Sequence, residues 1–275
     1  MKPGLQIFEI RPGFRARPEI SHVIFDFDGT LSWLRHGWPG MMCELFLENV
    51  PLRPVETRQS LQESLIKDIL ALNGKPSVYQ MQLCVEAAEK RGGEKVDPEQ
   101  LLLEYQRRLD SEIHERTERV LKGSAERDHF VIHGARVLVE EFRRRGLVLI
   151  ILSGTAEPRV KQEAELLDLT RYFGPHIYGG TADLAKSSKR AVIDRLLREE
   201  GIEGKHLLAF GDGPVEIQLI KAADGIAVGV ASDENLNGSG ILDPQKLTQL
   251  RGAGADLLIP DYRQPDALLE CLLGN

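Results

Sequence analysis

The sequence is poor in the features that mark secreted, disulfide-bonded and membrane-spanning proteins. Its three cysteines, Cys43, Cys84 and Cys271, are too few and too widely spaced for a disulfide framework or a metal knuckle. The first twenty residues lack the apolar segment of a signal peptide, and no apolar run approaches the roughly 18 residues that a membrane span needs. We therefore expect a cytoplasmic protein in which Cys84 and Cys271 are small buried apolar side chains.

Positive charge and clustered histidine are also scarce. Lysine and arginine total 35 residues against 42 aspartates and glutamates, which gives a net charge of -7 and a pI near 5.6. Such an excess of negative charge disfavours binding to a nucleic-acid backbone or to an anionic membrane surface. The seven histidines are dispersed without HxH or HxxxH spacing, which argues against a zinc site. We expect neither nucleic acid nor membrane as a partner.

What the sequence does contain is an alternation of apolar segments and amphipathic helical patterns. The predicted strands lie at 22–30, 147–155, 206–213 and 225–231, with a short edge strand at 255–260. The helical patterns between them cover 135–146, 156–169, 188–201 and 214–223. This alternation predicts an α/β fold with a doubly wound, Rossmann-like parallel sheet covered by helices on both faces. Ligand sites in such sheets lie at the carboxyl ends of the strands.

The segment between the first two long strands has a different character. Residues 33–131 contain no convincing strand and instead show four helical patterns, at 38–49, 54–72, 77–91 and 98–121. The sequence thus predicts an α/β core formed by 1–32 and 132–275, with an all-helical insertion at 33–131.

Two carboxylates end the first strand, in the stretch VIFDFDGTLS. Asp26 and Asp28 are two residues apart and would lie on the same side of a continuing strand. Carboxylates that close repel each other, unless one is protonated or a cation lies between them. Mg²⁺, which prefers oxygen ligands, is the simplest such cation. The alternative is a strand-to-turn exit held by Asx hydrogen bonds.

Other polar residues follow the neighbouring strands. Ser153 lies at a strand-to-helix transition, where its hydroxyl and a helix N-terminus can hold an anionic oxygen. Asp212 ends the third strand, and Glu216 follows four residues later at the start of a helix. Lys189 begins a helix before that strand, where its ammonium can reach a phosphate. The sequence predicts that these side chains meet at one rim.

This ordered set of motifs resembles the haloacid dehalogenase (HAD) superfamily of phosphohydrolases. The four motifs of that family correspond to DFDGT at 26–30, SGT at 153–155, Lys189 and GDGPVE at 211–216. The resemblance covers about 20–32 and 132–262, and the helical insertion occupies the position of that family's cap. It implies an Mg²⁺-dependent phosphatase, that is, a phosphoric monoester hydrolase with a HAD core and a helical cap.

The resemblance also implies catalytic and metal-binding roles. Asp26 would be the nucleophile that forms an aspartyl-phosphate, and Asp28 the general acid and then the general base. Mg²⁺ would be held by Asp26, the backbone carbonyl of Asp28 and Asp212. Glu216 stands where the family commonly has aspartate, and would bind the metal directly or through water.

The remaining implied roles concern phosphate and substrate. Ser153 and the amide of Gly154 would hold phosphate oxygens, and Gly29 and Thr30 would complete the substrate-binding loop. Lys189 would pair with the nucleophile and the phosphate. Lys186 is an alternative third-motif lysine, but its spacing to Asp212 fits the family less well.

Within the family, phosphatase is the leading reaction. Asp28 and Asp212 argue against dehalogenation, and Thr30 after DxDG is typical of phosphatases. The stretch SWLRHGWPGMM supplies no lysine, which argues against phosphonate hydrolysis. Two alternatives stay open: a sugar-phosphate mutase, and a phosphate- or metal-binding module that has lost turnover.

The same stretch contains candidate substrate contacts. Arg35 and His36 would bind an anion or a hydroxyl, and Trp33 or Trp38 would stack on a sugar. The alternative is a packed hinge with buried tryptophans. A helical cap that excludes water favours a small phosphorylated metabolite over a phosphoprotein.

Overall fold

The computed structural model describes residues 8–73, 75–181 and 188–274. Within these residues the chain forms two compact units. One combines the chain up to Leu34 with the chain from Val120 onward, and the other spans Arg35–Arg119. The first unit contains the strands, and the second is helical.

The first unit is built on a seven-stranded sheet. Its strands are β1 (Glu9–Ile10), β2 (His22–Phe25), β3 (Val148–Ala156), β4 (Ile177–Gly180), β5 (Leu207–Gly211), β6 (Ile226–Val230) and β7 (Leu257–Ile259). Their order is β1-β7-β6-β5-β2-β3-β4, and among the described residues only the β1–β7 pair is antiparallel. The predicted doubly wound α/β fold is confirmed. Because the chain winds in opposite directions on the two sides of β2, a crevice is expected at the carboxyl end of that strand.

Helices connect the strands of the first unit and form most of the second. The helices are α1 (Trp38–Asn49), α2 (Arg58–Ala71), α3 (Val78–Glu89), α4 (Pro98–Leu121), α5 (Ala135–Arg144), α6 (Glu157–Leu166), α7 (Thr170–Phe173), α8 (Lys189–Glu199), α9 (Pro214–Ala222), α10 (Pro244–Gly252) and α11 (Pro265–Leu273). None of the described helices is both long enough and apolar enough to cross a bilayer.

The sheet is covered on both faces, as its strand sequences require. In β2, Val23 and Phe25 belong to one apolar core, whereas Ile24 between them belongs to the other. Side chains of a strand alternate between the two faces, so a strand buried on both sides is apolar throughout. Helices α5, α6 and α11 contribute to the first core, and α8, α9 and α10 to the second.

Two strands at the margins of the sheet differ from the sequence prediction. The segment predicted as an edge strand forms β7, but β7 lies inside the sheet because β1 pairs with its free side. Strand β4 was not predicted, since its four residues, IYGG, are too short and too rich in glycine for a clear pattern. Both differences concern short strands, whose formation and position depend on the neighbouring strand with which they pair.

The second unit has a core of its own. Helices α1 to α4 agree with the four helical patterns of the sequence, and α1, α2 and α3 pack on one another. Their buried side chains include Met42, Phe46, Leu61, Leu65, Ile69, Met81, Cys84 and Tyr105. A capping box between Thr57 and Ser60 starts α2. Cys84 is buried as expected, whereas Cys271, in α11 of the first unit, is only half-buried.

Candidate active site

The predicted rim lies where β2, β3 and β5 end. Residue Phe25 pairs with Ile151 of β3 on one side and with Phe210 of β5 on the other. Asp26 continues this pairing, because its backbone N–H donates to the carbonyl of Phe210 at 2.9 Å. Asp212 follows β5 in the same way. The parallel register thus brings these strand ends side by side.

A tight loop follows Asp26. The N–H of Gly29 donates to the carbonyl of Ser32 at 2.9 Å, and Gly29 has a φ of +74°. A Cβ atom at this position would lie 2.3 Å from Oδ2 of Asp212. Only glycine fits here, both for its backbone conformation and for the space available. The backbone beside Asp28 therefore closely approaches the Asp212 carboxylate.

Lys189 joins two of the predicted acids. Its Nζ donates to Oδ1 of Asp26 at 2.6 Å and also contacts Oε1 of Glu216. The hydroxyl of Ser188 caps α8 by accepting the N–H of Ala191 at 3.3 Å, and this places Lys189 at the first helical position. The alternative lysine of the third motif, at position 186, lies outside the described residues.

Burial and like charge dominate the electrostatics around Asp26. The floor beneath these side chains is formed by Ile24, Leu152, Ile193, Ala209, Phe210, Leu219 and Ile220. Burial raises the pKa of Asp26 to about 8, opposed by Lys189 and reinforced by Glu216 and Asp212. Burial alone would lower the pKa of Lys189, but the two carboxylates outweigh it and raise that pKa. Lys189 is therefore held in its charged form, whereas burial disfavours the charged form of Asp26.

Asp212 has a lysine partner that the sequence did not reveal. Oδ2 of Asp212 lies 3.2 Å from Nζ of Lys246, which also contacts Glu234 Oε1 at 2.6 Å. Burial raises the pKa of Asp212 to about 6, although Lys246 opposes the rise. Lys246 is 34 residues from Asp212 along the chain, so no local motif links the two residues.

The SGT motif supports Asp28. The hydroxyl of Thr155 donates to Oδ2 of Asp28 at 2.8 Å, and the N–H of Thr155 donates to the hydroxyl of Ser153 at 3.1 Å. Ser153 is buried and Gly154 is exposed. Thr155 was not predicted as a site residue, although it is the last residue of the motif that suggested Ser153.

Thr30 does not face an open rim. It is fully buried, and among the described residues its hydroxyl oxygen has no hydrogen-bond partner. Its carbonyl accepts the hydroxyl of Tyr262 at 3.0 Å. Burial, followed by the charges of Asp212 and Asp26, raises the pKa of Tyr262 well above its usual value. Tyr262, another residue that the sequence did not reveal, thus holds the backbone of the Gly29–Thr30 loop through this hydrogen bond.

The stretch after the loop divides between the two units. Trp33 belongs to the first, where it is 6% exposed and its Nε1 donates to the carbonyl of Asp233 at 3.3 Å. This favours a packed role for Trp33 over stacking on a sugar. Arg35 begins the second unit and is largely buried, and the carbonyl of His36 accepts Nη1 of Arg116 at 3.0 Å.

The donor atoms at the rim suit a hard divalent cation. Asp26, Asp212, Glu216 and the carbonyl of Asp28 all offer oxygen. In the described part of the chain, Oε2 of Glu216 is buried without a hydrogen-bond partner. No three acidic, histidine or cysteine side chains of the described residues already form a metal-binding group; instead, the two lysines hold carboxylate oxygens. The surplus of buried negative charge and the unpartnered oxygen fit Mg²⁺.

Comparisons with solved structures agree with this fold. One similar structure is that of a predicted phosphoglycolate phosphatase from Haemophilus somnus 129pt. Its sequence is 16% identical to this chain and the TM-score is 0.58; the match covers 91% of this chain and 97% of that one. A HAD family hydrolase from Deinococcus radiodurans R1 with bound phosphate and sodium is 15% identical with a TM-score of 0.59, covering 92% and 96%. A β-phosphoglucomutase candidate from Thermotoga maritima is 18% identical with a TM-score of 0.55, covering 92% and 100%. At sequence identities this low, the similarity shows a shared fold and nothing about the reaction.

The sequence comparisons are more specific to the family. No protein among the curated sequences matches the chain. The family model of haloacid dehalogenase-like hydrolases matches residues 20–224, which is well over half of the chain and includes the strand ends that carry Asp26, Ser153 and Asp212. The chain therefore belongs to the haloacid dehalogenase-like hydrolases.

Proposed function

We propose that the protein is an Mg²⁺-dependent phosphatase that acts on a small phosphorylated metabolite through an aspartyl-phosphate at Asp26. The observation that carries this proposal is the shared ammonium of Lys189, held between Asp26 and Glu216 at a buried strand end. A buried carboxylate with its own cation is suited to attack a dianion, because the lysine reduces the repulsion between nucleophile and phosphate. Family membership supports a hydrolase.

In the first step, a carboxylate oxygen of Asp26 attacks phosphorus. Lys189 holds Oδ1, which leaves Oδ2 as the attacking atom. The new bond joins aspartate to phosphorus, and the bond from phosphorus to the ester oxygen breaks. The leaving oxygen takes a proton from the carboxyl group of Asp28. Thr155 orients this group, because its hydroxyl donates to Oδ2 of Asp28.

The second step regenerates the enzyme. Asp28, now a carboxylate, accepts a proton from water while the water oxygen attacks the phosphorus of the aspartyl-phosphate. The bond between Asp26 and phosphorus breaks, so inorganic phosphate leaves and Asp26 returns as a carboxylate. The hydrogen bond from Thr155 to Oδ2 of Asp28 orients the carboxylate for this step as well.

Mg²⁺ is the cofactor of this proposal. Asp26, Asp212, Glu216 and the backbone carbonyl of Asp28 would hold it, and when bound it offsets the negative charge of the transferred phosphoryl group. Lys189 adds a second positive charge from the protein itself. Ser153 and the exposed amide of Gly154 are assigned to the phosphate oxygens, with Gly29 on the other side of the loop.

The proposed substrate is a small phosphorylated metabolite. We retain Arg35 as a contact for a substrate anion. We assign Thr30 to support of the loop rather than to the substrate, because its hydroxyl is buried. The net charge of -7 favours a small metabolite over nucleic acid or an anionic membrane, in a cytoplasmic setting.

The second candidate is a sugar-phosphate mutase, favoured by the fold shared with the Thermotoga maritima β-phosphoglucomutase candidate. It would use the same residues, but a sugar hydroxyl would replace water in the second step. A binding module without turnover is disfavoured, because Thr155 holds Asp28 in place, a contact that serves proton transfer.

The test is phosphate release from an aryl phosphate and from a panel of sugar, nucleotide and carboxylic acid phosphates, with Mg²⁺ or with a chelator. Asp26→Asn should lower turnover at least about 1000-fold, since it removes the nucleophile. Asp224→Asn is the matched control, because Asp224 is an exposed aspartate outside the site, and it should behave as the wild type.

Three outcomes separate the candidates. Metal-dependent phosphate release that Asp26→Asn abolishes supports the phosphatase. Interconversion of sugar phosphates without net phosphate release, followed by ³¹P NMR, would support the mutase instead. A folded protein that binds Mg²⁺ but processes no phosphate would contradict both enzymatic functions.

A further inference from the structure

Lys246 occupies a position that local preferences disfavour. It is 1% exposed although it carries a charge, and buried lysines are rare without strong partners. It also lies in the first turn of α10, where the helix dipole disfavours a cation. The helix start is fixed by Pro244 and by Asp243, whose Oδ1 accepts the N–H groups of Gln245 and Lys246 at 2.9 and 2.8 Å. A residue that breaks two local rules needs a tertiary reason.

The contacts of its ammonium supply that reason. Nζ of Lys246 lies 2.6 Å from Oε1 of Glu234, 3.1 Å from the hydroxyl of Ser232 and 3.2 Å from Oδ2 of Asp212. An ammonium has three N–H donors, and here each has one acceptor. The lysine is thus held in one orientation by residues from two different strand ends.

Ser232 extends this set of contacts to the loop after β2. Its hydroxyl accepts from Lys246 and donates to the carbonyl of Gly29 at 3.0 Å. Gly29 directly follows Asp28 and closely approaches the Asp212 carboxylate. Lys246 therefore connects the end of β5, the segment after β6 and the loop that carries Asp28.

We propose that Lys246 is a positioning residue of the active site, which sets the Asp212 carboxylate relative to the Asp28 loop. It holds Oδ2 of Asp212, the carboxylate that would bind Mg²⁺, and through Ser232 it fixes the backbone beside Asp28. Lys246 touches no reacting atom. The inference rests on the proposed function, because it takes Asp212 as a metal ligand. Groups that orient metal ligands typically change metal affinity or activity 10- to 100-fold when removed.

A purely structural ion pair would behave differently. Its loss would lower the stability of the protein and leave Mg²⁺ affinity and turnover unchanged. The chain offers a matched control at the other end of β6. There Nζ of Lys221 contacts both oxygens of the buried Asp256, at 3.0 and 2.8 Å, away from the rim.

The experiment compares Lys246→Met with Lys221→Met in the full chain. Methionine keeps much of the length of lysine and removes the donors. Isothermal titration with Mg²⁺ gives metal affinity without any turnover, and steady-state kinetics on an aryl phosphate gives kcat and KM. We expect Lys246→Met to weaken Mg²⁺ binding about 10-fold and to lower kcat about 10- to 100-fold, with KM nearly unchanged. Lys221→Met should change neither affinity nor kcat.

The outcomes distinguish this inference from the proposed function. Wild-type Mg²⁺ affinity and kcat in Lys246→Met would overturn the positioning role alone. A wild-type protein that neither binds Mg²⁺ nor releases phosphate would overturn the proposed function and this inference with it. If Lys246→Met does not fold, the same Mg²⁺ titration and kinetics on Ser232→Ala test the inference. This substitution removes the hydroxyl that joins Lys246 to Gly29 and keeps the contacts of Lys246 with Asp212 and Glu234. It should therefore lower kcat several-fold with nearly unchanged Mg²⁺ affinity; an unchanged kcat would overturn the inference.

Discussion

Lysine–aspartate pairs lie at both ends of the same sheet, and the two ends differ in how completely the charges are balanced. At the amino end of β6, Asp256 accepts from Lys221 and from the N–H of Ala227 at 3.0 Å. Here one acid has one lysine, and the half-exposed Arg11 lies 3.6 Å from its Oδ1. At the carboxyl end, Asp26 and Glu216 share the ammonium of Lys189, and Asp212 and Glu234 share that of Lys246.

The difference indicates that the amino end of the sheet contributes to stability, whereas the carboxyl end is arranged for function. A balanced pair holds the neighbouring strands together. An excess of buried carboxylates is costly, and in this chain it occurs at the end of the sheet where a cation and a phosphate are proposed to bind. Proteins commonly give up stability at such sites. If this contrast holds, substitutions at the two ends of the sheet should change the free energy of unfolding in opposite directions.

The largest expected effect is stabilisation of the rim by Mg²⁺. At a Mg²⁺ concentration 100 times Kd, the free energy of unfolding should rise by about 2.7 kcal/mol, because the metal binds only the folded state. For a chain of this size that corresponds to a rise in Tm of about 5 °C, measured by circular dichroism with and without chelator. Asp212→Asn should abolish the rise, whereas Asp256→Asn should retain it. An equal response of both variants would contradict the assignment of the metal to the rim.

The second effect concerns the Lys221–Asp256 pair at the amino end of β6. Asp256→Asn should lower the free energy of unfolding by about 2 kcal/mol, because it leaves Lys221 without its carboxylate. Lys221 is a quarter exposed, which keeps the loss below that of a fully buried pair. Urea unfolding measures this change, and turnover per folded molecule should stay at the wild-type value. A stability equal to the wild type would show that this pair does not hold the strands together.

At the rim, an Asp→Asn substitution should raise the free energy of unfolding instead of lowering it. Asp26→Asn removes a carboxyl group whose charged form is disfavoured, because burial, reinforced by Glu216 and Asp212 and opposed by Lys189, raises its pKa to about 8. In the presence of chelator, it should raise the free energy of unfolding by about 1 kcal/mol. The measurement is urea unfolding beside Asp256→Asn under identical conditions. A destabilised Asp26→Asn would mean that Lys189 already balances the charge at this strand end.

The smallest effect is a pH dependence at the amino end of β2. His22 is buried, its Nδ1 bonds the hydroxyl of Ser21 at 2.8 Å, and in the described part of the chain its Nε2 has no partner. Burial lowers its pKa, with His176 and His206 acting in the same direction and Glu200 against them.

The sign of this pH dependence follows from proton uptake. Because the folded pKa is below the unfolded value of about 6.5, the unfolded state binds more protons as pH falls through that value. The stability from His22 is therefore fully present above pH 6.5 and declines below it, with a slope of at most about 1.4 kcal/mol per pH unit. His22→Gln should flatten the decline of Tm with pH, and the same change at the exposed His114 should not. An unchanged slope in His22→Gln would contradict the prediction.

Much of the fold follows from patterns that are local in sequence. The alternation of apolar strands and helices, the four helices of the second unit, and the acids that end β2 and β5 all depend on residues close to one another in the chain. Lys189 was also predicted, because its place before β5 fits the family's third motif. Its contacts with Asp26 and Glu216 agree with that expectation.

The tertiary structure decided what no local pattern encodes. Lys246 meets Asp212, Thr155 meets Asp28, and Tyr262 meets Thr30, across separations of 34, 127 and 232 residues. The short strands β1 and β4 likewise depend on the neighbours with which they pair. The sequence by itself determined which chemical groups end the strands, because strand and helix periodicity are local properties. Which of those groups share a lysine, and which hydroxyls are buried, depends on strand order, and strand order is set only when distant segments pack together.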